Sequence, residues 1–165
     1  LFYNDQNNQI PVEQVNSDEM AESVKPRGNQ LCSGTFGKLW IDGSLAYEVY
    51  KFEAKEKTNR ESVSFAGDTT NDSKLMGVDY EFSYTVRKVY SRGKEIADGH
   101  KKGKDTRHTL VARLEDPDNG GYETIQLDNC WYNDVSLMNF ENGKIVEEEF
   151  SGGFTDYDLT STMNA

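Results

Sequence analysis

Residues 78–90 read VDYEFSYTVRKVY, and apolar and polar side chains alternate through most of this stretch. Strict alternation at period two predicts a half-buried β-strand, because successive side chains of a strand point to opposite faces of the sheet. One row of side chains therefore needs a hydrophobic core, and the other needs a polar surface of similar length. The residues of the apolar row are Val78, Tyr80, Phe82, Tyr84 and Val86.

The composition is that of one acidic, aromatic-rich domain. The chain has 165 residues, of which 35% are apolar, 28% charged and 12% aromatic. Its formal net charge is −11, and an acidic surface disfavours tight binding of phosphate groups. No apolar run approaches the length of a membrane-spanning helix, so we expect no membrane partner. Cys32 and Cys130 lack a metal-binding spacing, and we expect buried free thiols in a reducing cytoplasm rather than a disulfide.

The segments before residue 78 extend the β pattern. Asp42-Gly43 lies between two alternating segments and predicts a hairpin. A turn over residues 57–62, a short strand through Val63 and Phe65, and a polar loop over residues 66–77 then lead to the opening strand. The second strand of the hairpin, residues 45–57, is expected to show Ala46, Tyr50, Phe52 and Ala54 on one face and Val49, Lys51, Glu53, Lys55 and Lys57 on the other.

The segments after residue 90 predict one helix and four more strands. Residues 91–104 are the helical candidate, with Ser91 as its cap and a thin apolar stripe that places it on the surface. The strands are expected over residues 107–115, 122–132, 135–140 and 144–159. The fold class is therefore mainly β, a β-sandwich or partial barrel with one surface α-helix. Long strands with a fully polar second face favour sheets that continue across subunits.

The chain divides into three parts by composition. Residues 1–30 show neither periodicity and predict an extended or flexible N-terminal arm. Residues 31–160 form the β-domain, and residues 161–165 form a C-terminal tail.

Catalytic and metal-binding patterns are weak, and we expect neither an enzyme nor a cofactor. His100 and His108 lack the spacing of metal ligands and are expected at the surface, and the segment 116–121, DPDNGG, predicts a turn rather than a calcium loop. Carboxylate pairs for hydrolysis are conceivable at Asp116 and Asp118 or within residues 147–149, but adjacent strand residues point to opposite faces.

A basic cluster interrupts the acidic background. It is either a solvated loop or a docking patch for an acidic partner, and nucleic acid is a weaker third reading because no aromatic residues are interleaved. The cluster comprises His100, Lys101, Lys102, Lys104, Arg107 and His108.

Five short motifs occur in a fixed order between residues 34 and 159. They are G-x-L-x-x-D-G (Gly37, Leu39, Asp42, Gly43), an aromatic-Glu-Ala triplet (Phe52, Glu53, Ala54), Lys-Lys-Gly (Lys101, Lys102, Gly103), T-L-x-A-x-L (Thr109, Leu110, Ala112, Leu114), and three glutamates before an aromatic-rich strand (Glu147 to Phe154, then Asp156, Tyr157 and Asp158). In this order the motifs resemble those of the tail tube proteins of contractile phages. Within that class the similarity is to the XkdM-like group of PBSX-type prophages.

The resemblance implies a structural subunit without catalysis. It implies that each chain gives four strands to a 24-stranded barrel in a homohexameric ring, and that rings stack into a hollow tube inside a contractile sheath. The implied partners are the chain itself, the sheath protein, baseplate and terminator proteins, and DNA that passes without specific binding. The implied location is the virion tail, assembled in the bacterial host cytoplasm. A phage genome conduit and a DNA-free bacteriocin particle are both compatible with it.

Three groups of site residues follow from this resemblance. The channel-lining residues are expected to be Glu53, Glu147, Glu149, Ser151 and Thr155, because an acidic wall repels DNA phosphates. The ring-stacking loop is expected to present Asp68, Asn71, Asp72, Lys74 and Leu75. The sheath-facing patch is expected to comprise Lys101, Lys102, Lys104 and Arg107.

Two other function classes stay open at this point. A monomeric β-sandwich that binds carbohydrate would use Trp40, Trp131 and Tyr132 as stacking faces. A two-carboxylate hydrolase would need a cleft that pairs acids from different strands, with Glu147 as the first residue to test.

Overall fold

The computed structural model describes residues 24–164, so most of the predicted N-terminal arm lies outside the described residues. The described part is mainly β and contains one short helix, α1, at Lys94–Lys101. Two single 3₁₀ turns, Gly28–Gln30 and Gly34–Phe36, precede the first strand. The strands are β1 Gly37–Ile41, β2 Ser44–Leu45, β3 Val49–Val63, β4 Asp72–Arg87, β5 His108–Leu114, β6 Glu123–Asp134, β7 Glu147–Phe154 and β8 Asp156–Ser161.

These strands form one antiparallel sheet in the order β2-β1-β5-β6-β7-β4-β3, and β8 also pairs with β6. Strand β6 joins two halves of the sheet, because its first part pairs with β5 and β8 and its last part pairs with β7. Asn129 has a left-handed φ of 59° between these two parts. The core draws side chains from both halves, so the halves pack against each other like the layers of a sandwich.

The core is built largely from aromatic rings. Phe82, Tyr84 and Val86 are each at most 2% exposed, which confirms the inner part of the apolar row of the opening strand. The hydroxyls of Tyr84 and Tyr132 lie 2.8 Å apart and share a hydrogen bond inside the core. This bond satisfies two polar groups that burial would otherwise leave unpaired. Residue 78, at the outer end of the row, is 41% exposed because the strand extends beyond the core there.

Burial of Tyr84 makes the stability of the domain depend on alkaline pH. Burial raises the pKa of the Tyr84 hydroxyl to about 12, from 10.0 in an unfolded chain. A raised pKa means that the folded state holds its proton more tightly, so this stabilisation is complete below pH 10 and is lost as the pH rises through 12. We expect the free energy of unfolding to fall by about 2–3 kcal/mol from this group over that interval.

Urea unfolding at pH 9, 10, 11 and 12 measures this dependence. Tyr84→Phe should lose stability at neutral pH but show a shallower alkaline decline, because the titrating group is gone. Tyr47→Phe is the matched control, since Tyr47 is 87% exposed. An unchanged alkaline slope in Tyr84→Phe would contradict the assignment.

The Asp42-Gly43 hairpin is confirmed. Asp42 and Gly43 have φ values of 50° and 86°, the two left-handed residues that a type I′ turn requires. The turn joins β1 to the two-residue β2, after which the chain crosses to β3 in the other half of the sheet. The second strand is therefore much shorter than predicted.

The predicted turn over residues 57–62 is wrong, because β3 continues unbroken to Val63. This segment contains no Gly or Pro, and each of its residues pairs with β4. The predicted polar loop over residues 66–77 is also shorter than expected, since β4 begins at Asp72. Polar side chains on both faces concealed the strand pattern, and only the ladder with β4 reveals it.

A β-bulge at Tyr50 reverses the predicted facing of the start of β3. Val49 pairs with Val86 and Lys51 pairs with Thr85, so Tyr50 is the extra residue. Val49 consequently packs against the core, and the Tyr50 ring lies on the polar side with the Arg87 guanidinium 4.5 Å from its centroid. A hydrogen bond with Glu147, with a smaller effect of burial, raises the pKa of the Tyr50 hydroxyl. The sequence predicted the reverse, with Tyr50 on the same face as Phe52 and Val49 on the same face as Lys51.

The helix and the last strands also differ from the sequence prediction. Gly93, not Ser91, precedes the first turn of α1, and a Cβ there would lie 2.8 Å from the Val135 side chain and 2.9 Å from the Ser136 carbonyl oxygen. Residues 135–140 form no strand, and the predicted strand over residues 144–159 is divided into β7 and β8 at Thr155.

Both cysteines are free thiols, as expected, but only one is buried. Cys130 lies in the core, where burial raises the pKa of its thiol to about 12, whereas Cys32 is exposed. The division into residues 1–30, 31–160 and 161–165 stays a prediction. Strand β8 ends at Ser161, and residues 162–164 have no regular secondary structure.

Candidate channel-lining face and assembly surfaces

The half of the sheet made by β6, β7, β4 and β3 has one core side and one polar side. On the polar side, Glu53 stands opposite Ser83, Ser83 opposite Ser151, and Ser151 opposite Asp134. The polar row of the opening strand therefore runs across the middle of a four-stranded surface. We call this surface the polar face.

Three basic residues of the polar face stand opposite acidic residues, and a fourth, Lys51, stands opposite Thr85. Lys55 pairs in register with Glu81, and Lys57 pairs with Asp79. Arg87 likewise pairs in register with Glu147. Cross-strand partners of opposite charge attract, so Lys55 and Lys57 of β3 are balanced by acids of the neighbouring strand.

A shallow polar depression crosses the polar face. Its lining is mostly carboxylate, hydroxyl and amide groups, with one lysine. In residues 24–164, no three His, Cys, Asp or Glu side chains are grouped as metal ligands. The residues that line it are Glu53, Lys55, Glu81, Phe82, Ser83, Asn133, Asp134, Ser151 and Gly152.

The structure brings most of the predicted channel-lining residues together. Glu147, Glu149 and Ser151 alternate along β7 with buried residues, so their side chains share the polar face with Glu53. Thr155 is different, because it lies between β7 and β8 and its hydroxyl accepts a hydrogen bond from the amide of Asn129.

Sequence reasoning missed Asp134 as a member of this face. Asp134 is the last residue of β6 and accepts a hydrogen bond from the Ser151 hydroxyl at 3.0 Å. Nothing in the alternation of β6 marks it, because a register irregularity between Tyr132 and Asp134 shifts the facing. Glu81, Ser83 and Thr85 were signalled by the polar row of residues 78–90.

The central residue of the three glutamates is not solvated. Glu148 is 2% exposed and pairs with Lys88, whose Nζ lies 2.9 Å from its Oε2. Glu147 and Glu149 point to the opposite side of the strand. Glu148 therefore belongs to an ion pair in the interior and does not form a carboxylate pair with its neighbours, whereas Glu147 and Glu149 lie together on the polar face. Asp116 is buried too, but it accepts backbone hydrogen bonds from Ser33 and Asp118 as part of the predicted turn.

The far part of the hairpin between β3 and β4 extends beyond the core. Strand β7 pairs with β4 only from Tyr80 onwards, so residues 57–79 make no other strand contact among the described residues. We call residues 57–79 the distal hairpin. Its exposed large apolar side chains are Phe65, Leu75, Met76 and Val78.

The predicted ring-stacking residues lie on the distal hairpin, but in two different settings. Asp68 and Asn71 belong to the connection between the strands, and Asp68 accepts a hydrogen bond from the Thr70 backbone amide. Asp72, Lys74 and Leu75 are residues of β4 rather than of a loop.

Strand β3 also leaves one long edge open. It is the terminal strand of its half of the sheet, and within residues 24–164 no other strand pairs with its outer edge. The edge runs for 15 residues, or about 50 Å at roughly 3.4 Å per residue. An edge of this length presents a row of unpaired N–H and C=O groups and invites pairing with another chain.

The predicted basic patch divides into two parts. Lys101 and Lys102 end α1, and Lys104 follows them closely, all three with exposed side chains. Arg107 lies apart over the Trp131 ring, 4.9 Å from its centroid, and pairs with Asp105. His108, expected at the surface, is only 14% exposed in its side chain, and its Nδ1 lies 2.8 Å from the Asp42 carboxylate.

The aromatic residues proposed for sugar stacking do not form an exposed platform. Tyr132 is buried in the core, Trp131 lies under Arg107, and Trp40 is half-buried on β1. The carbohydrate-binding alternative is therefore not favoured. In residues 24–164, no helix is both long and apolar enough to cross a bilayer.

Comparison with known protein families decides the class of the chain. A family model described as phage tail tube protein matches residues 24–161, which is most of the chain. The chain belongs to this phage tail tube family. The family assignment agrees with the motif order found in the sequence.

Two relatives from Bacillus subtilis (strain 168) resemble this tail tube chain along nearly their whole length. The phage-like element PBSX protein XkdM is 28% identical over 141 residues, 84% of this chain and 96% of that protein. The uncharacterized protein YqbM is 29% identical over 142 residues, 84% of this chain and 97% of that protein.

A solved structure shares the fold of the tail tube chain. The sheath–tube complex of an extracellular contractile injection system, PVC, contains a chain that is 7% identical with a TM-score of 0.58. The match covers 76% of this chain and 88% of that chain. At this identity the likeness establishes the fold alone.

Proposed function

We propose that six copies of the tail tube chain form a ring and that rings stack into a hollow tube, enclosed by a sheath in a phage tail or tail-like particle. The main observation in support of this proposal is that one half-sheet combines four strands, a polar second face and a free edge 15 residues long. An open edge of this length is unfavourable in an isolated subunit, and strand pairing between subunits would satisfy it while the polar face stays in contact with water. The role is structural and without catalysis.

Barrel geometry supports six subunits. Four strands from each of six copies, about 4.8 Å apart and tilted by about 40°, give a circumference of roughly 150 Å. The backbone diameter is then roughly 48 Å, which leaves room for duplex DNA after the side chains are subtracted. The polar face would line this channel, with Glu53, Glu147, Glu149 and Ser151 on its wall.

The remaining surfaces take their roles from the same arrangement. We expect the distal hairpin, with Asp68, Asn71, Asp72, Lys74 and Leu75, to contact the next ring. Lys101, Lys102, Lys104 and Arg107 would face the sheath, and a baseplate and a terminator would close the two ends of the tube. Assembly would take place in the cytoplasm of the bacterial host, and residues 1–30 would form an arm outside the β-domain.

Negative-stain electron microscopy of the purified chain at rising concentration tests the assembly. Rings with six-fold averages, or hollow rods built from them, are the expected result. Light scattering on the same samples follows the change in mass. Another ring symmetry would contradict the hexamer, and a monomer at every protein and salt concentration would contradict self-assembly.

The channel wall is tested by reversing its charge. We expect tubes of the wild-type chain to retain no duplex DNA at physiological salt, because the acids of the polar face repel phosphate. Tubes that carry Glu53→Lys, Glu147→Lys and Glu149→Lys should retain short DNA, with an affinity that falls at least tenfold between low and high salt. Co-sedimentation of labelled DNA with the tubes measures retention.

A control with the same change in net charge separates the channel from the outer surface. Glu95→Lys, Asp98→Lys and Glu115→Lys reverse three exposed acids that lie outside the polar face. Equal DNA retention by both triple variants would contradict the assignment of the polar face to the channel.

A further inference from the structure

A second group of exposed apolar side chains lies at the end of the sheet opposite the distal hairpin. Its members come from the segment before β3, the segment after β4 and the connection between β6 and β7, which all meet at this end. Their exposed fractions range from 62% to 87%. We call them the end surface: Tyr47, Val89, Tyr90, Leu137, Met138, Phe140 and Ile145.

Backbone and side-chain contacts hold these three segments together. The Lys88 amide donates to the Val146 carbonyl at 2.9 Å, and the Asn139 amide donates to the Glu147 carbonyl at 2.9 Å. Arg92 pairs with Glu48 and so ties the segment after β4 to the segment before β3. The apolar side chains are thus presented on an anchored base, and none of them belongs to the core cluster.

The size of the end surface indicates an interface. Seven large side chains with on the order of 100 Å² of exposed apolar area each give roughly 700 Å². The largest apolar patch on a typical monomer is about 300–600 Å², and a standard interface buries about 800 Å² on each partner. The end surface is therefore large enough to be the centre of a stable contact.

We propose that the end surface receives the distal hairpin of a second copy of this chain. The two surfaces lie at opposite ends of the same strands, so a copy displaced along the strands brings one onto the other. Such a head-to-tail contact is heterologous and does not close on itself, which is the geometry of an open filament. This inference rests on the proposed tube and names the two surfaces that join successive rings.

The distal hairpin has the properties expected of a segment that binds the end surface. It carries Phe65, Leu75, Met76 and Val78 with exposed fractions of 41–64%, and no other described strand covers it. A two-stranded ribbon without packing is marginally stable in water, so docking would order both partners. Its β4 segment, residues 72–79, reaches about 25 Å beyond the last pair with β7.

Cysteine cross-linking between two populations of the full chain tests the contact directly. One population carries Met76→Cys and the other carries Met138→Cys, both in a Cys32→Ser background because Cys32 is exposed. Oxidation of the mixture should give a cross-linked dimer at least ten times more abundant than in a mixture with Leu159→Cys, a β8 residue that is 41% exposed. A yield equal to that of the Leu159→Cys control would overturn the proposal.

Charge substitution gives a second, independent measurement. Phe140→Glu should leave rings but stop their stacking into rods, and Met76→Lys should do the same. In a mixture of the two variants, rings of one variant can alternate with rings of the other, because the introduced charges are opposite, and short stacks should form. The control variant Leu159→Glu should stack like the wild type. Rods of wild-type length from Phe140→Glu would contradict the inference.

The two experiments separate this inference from the proposed function. Rings without rods in the Phe140→Glu variant support both. Rods in every variant keep the tube but overturn the pairing of these surfaces. If the wild type forms neither rings nor rods, the proposed function fails, and the cross-link yield still decides whether the two surfaces meet.

Discussion

Gly152→Ala is expected to unfold the domain or to leave it barely stable at 25 °C. A Cβ atom at residue 152 would overlap the carbonyl oxygen of Trp131 and lie 2.9 Å from the Cα of Tyr132. Both atoms belong to the backbone of β6, so no side chain can move aside. We expect a loss above about 4 kcal/mol, which is a large part of the 5–15 kcal/mol that stabilises a typical domain.

The reason for this close approach is the junction of the two sheet halves. Gly152 pairs with Tyr132 where β6 leaves β5 and joins β7, next to a register irregularity. A side chain here would separate β6 from β7 and thereby detach the polar face from the rest of the core. Strand glycines commonly mark such close contacts between backbones.

Thermal and urea unfolding followed by circular dichroism measure the effect. Gly28→Ala is the matched control, because nothing lies within 4 Å of a Cβ at residue 28 and the same change should cost less than about 0.5 kcal/mol. A Gly152→Ala midpoint within error of the wild-type midpoint would show that β6 and β7 are not this close.

Lys88→Met is expected to destabilise the domain by about 3 kcal/mol, because it leaves a buried carboxylate without its cation. The Glu148 side chain is 1% exposed and its Oε2 lies 2.9 Å from the Lys88 Nζ. Its Oε1 has no hydrogen-bond partner, so the loss of Lys88 removes the one described ionic contact of this group. The Lys88 side chain is 30% exposed, which places the expected cost at the low end for buried pairs.

A second substitution tests whether the destabilisation comes from the unpaired buried carboxylate or from a simple loss of packing. Lys88→Met combined with Glu148→Leu should recover most of the lost free energy, since the carboxylate that needs a partner is gone. Lys94→Met breaks the exposed pair with Asp98 and should cost less than about 0.5 kcal/mol. A double variant no more stable than Lys88→Met alone would contradict the explanation.

The parts of the fold that follow from local rules could be predicted from the sequence. The alternation of residues 78–90 determined a half-buried strand, and Asp42-Gly43 determined a two-residue turn. The order of short motifs indicated the tail tube family before any fold was known. The alternation along β7 also placed Glu147, Glu149 and Ser151 on one face.

The errors occur where long-range pairing overrides the local pattern. Residues 57–62 are polar on both sides, so no period marked them as a strand, yet the ladder with β4 extends through them. The bulge at Tyr50 shifts the facing by one residue, which a strict count of alternation does not register. No local pattern marks the ion pair of Glu148, which forms because the pairing of β7 with β4 places Glu148 beside Lys88.

The sequence by itself determined the strands that alternate clearly, the acidic surface and the family of this chain, because side-chain alternation, turn chemistry and charge are local properties. The tertiary structure alone decided which segments share the polar face, where the sheet keeps an open edge and where apolar residues remain exposed at both ends. These features depend on the register between strands that are distant in the chain. Register is set by packing and bulges rather than by any single segment.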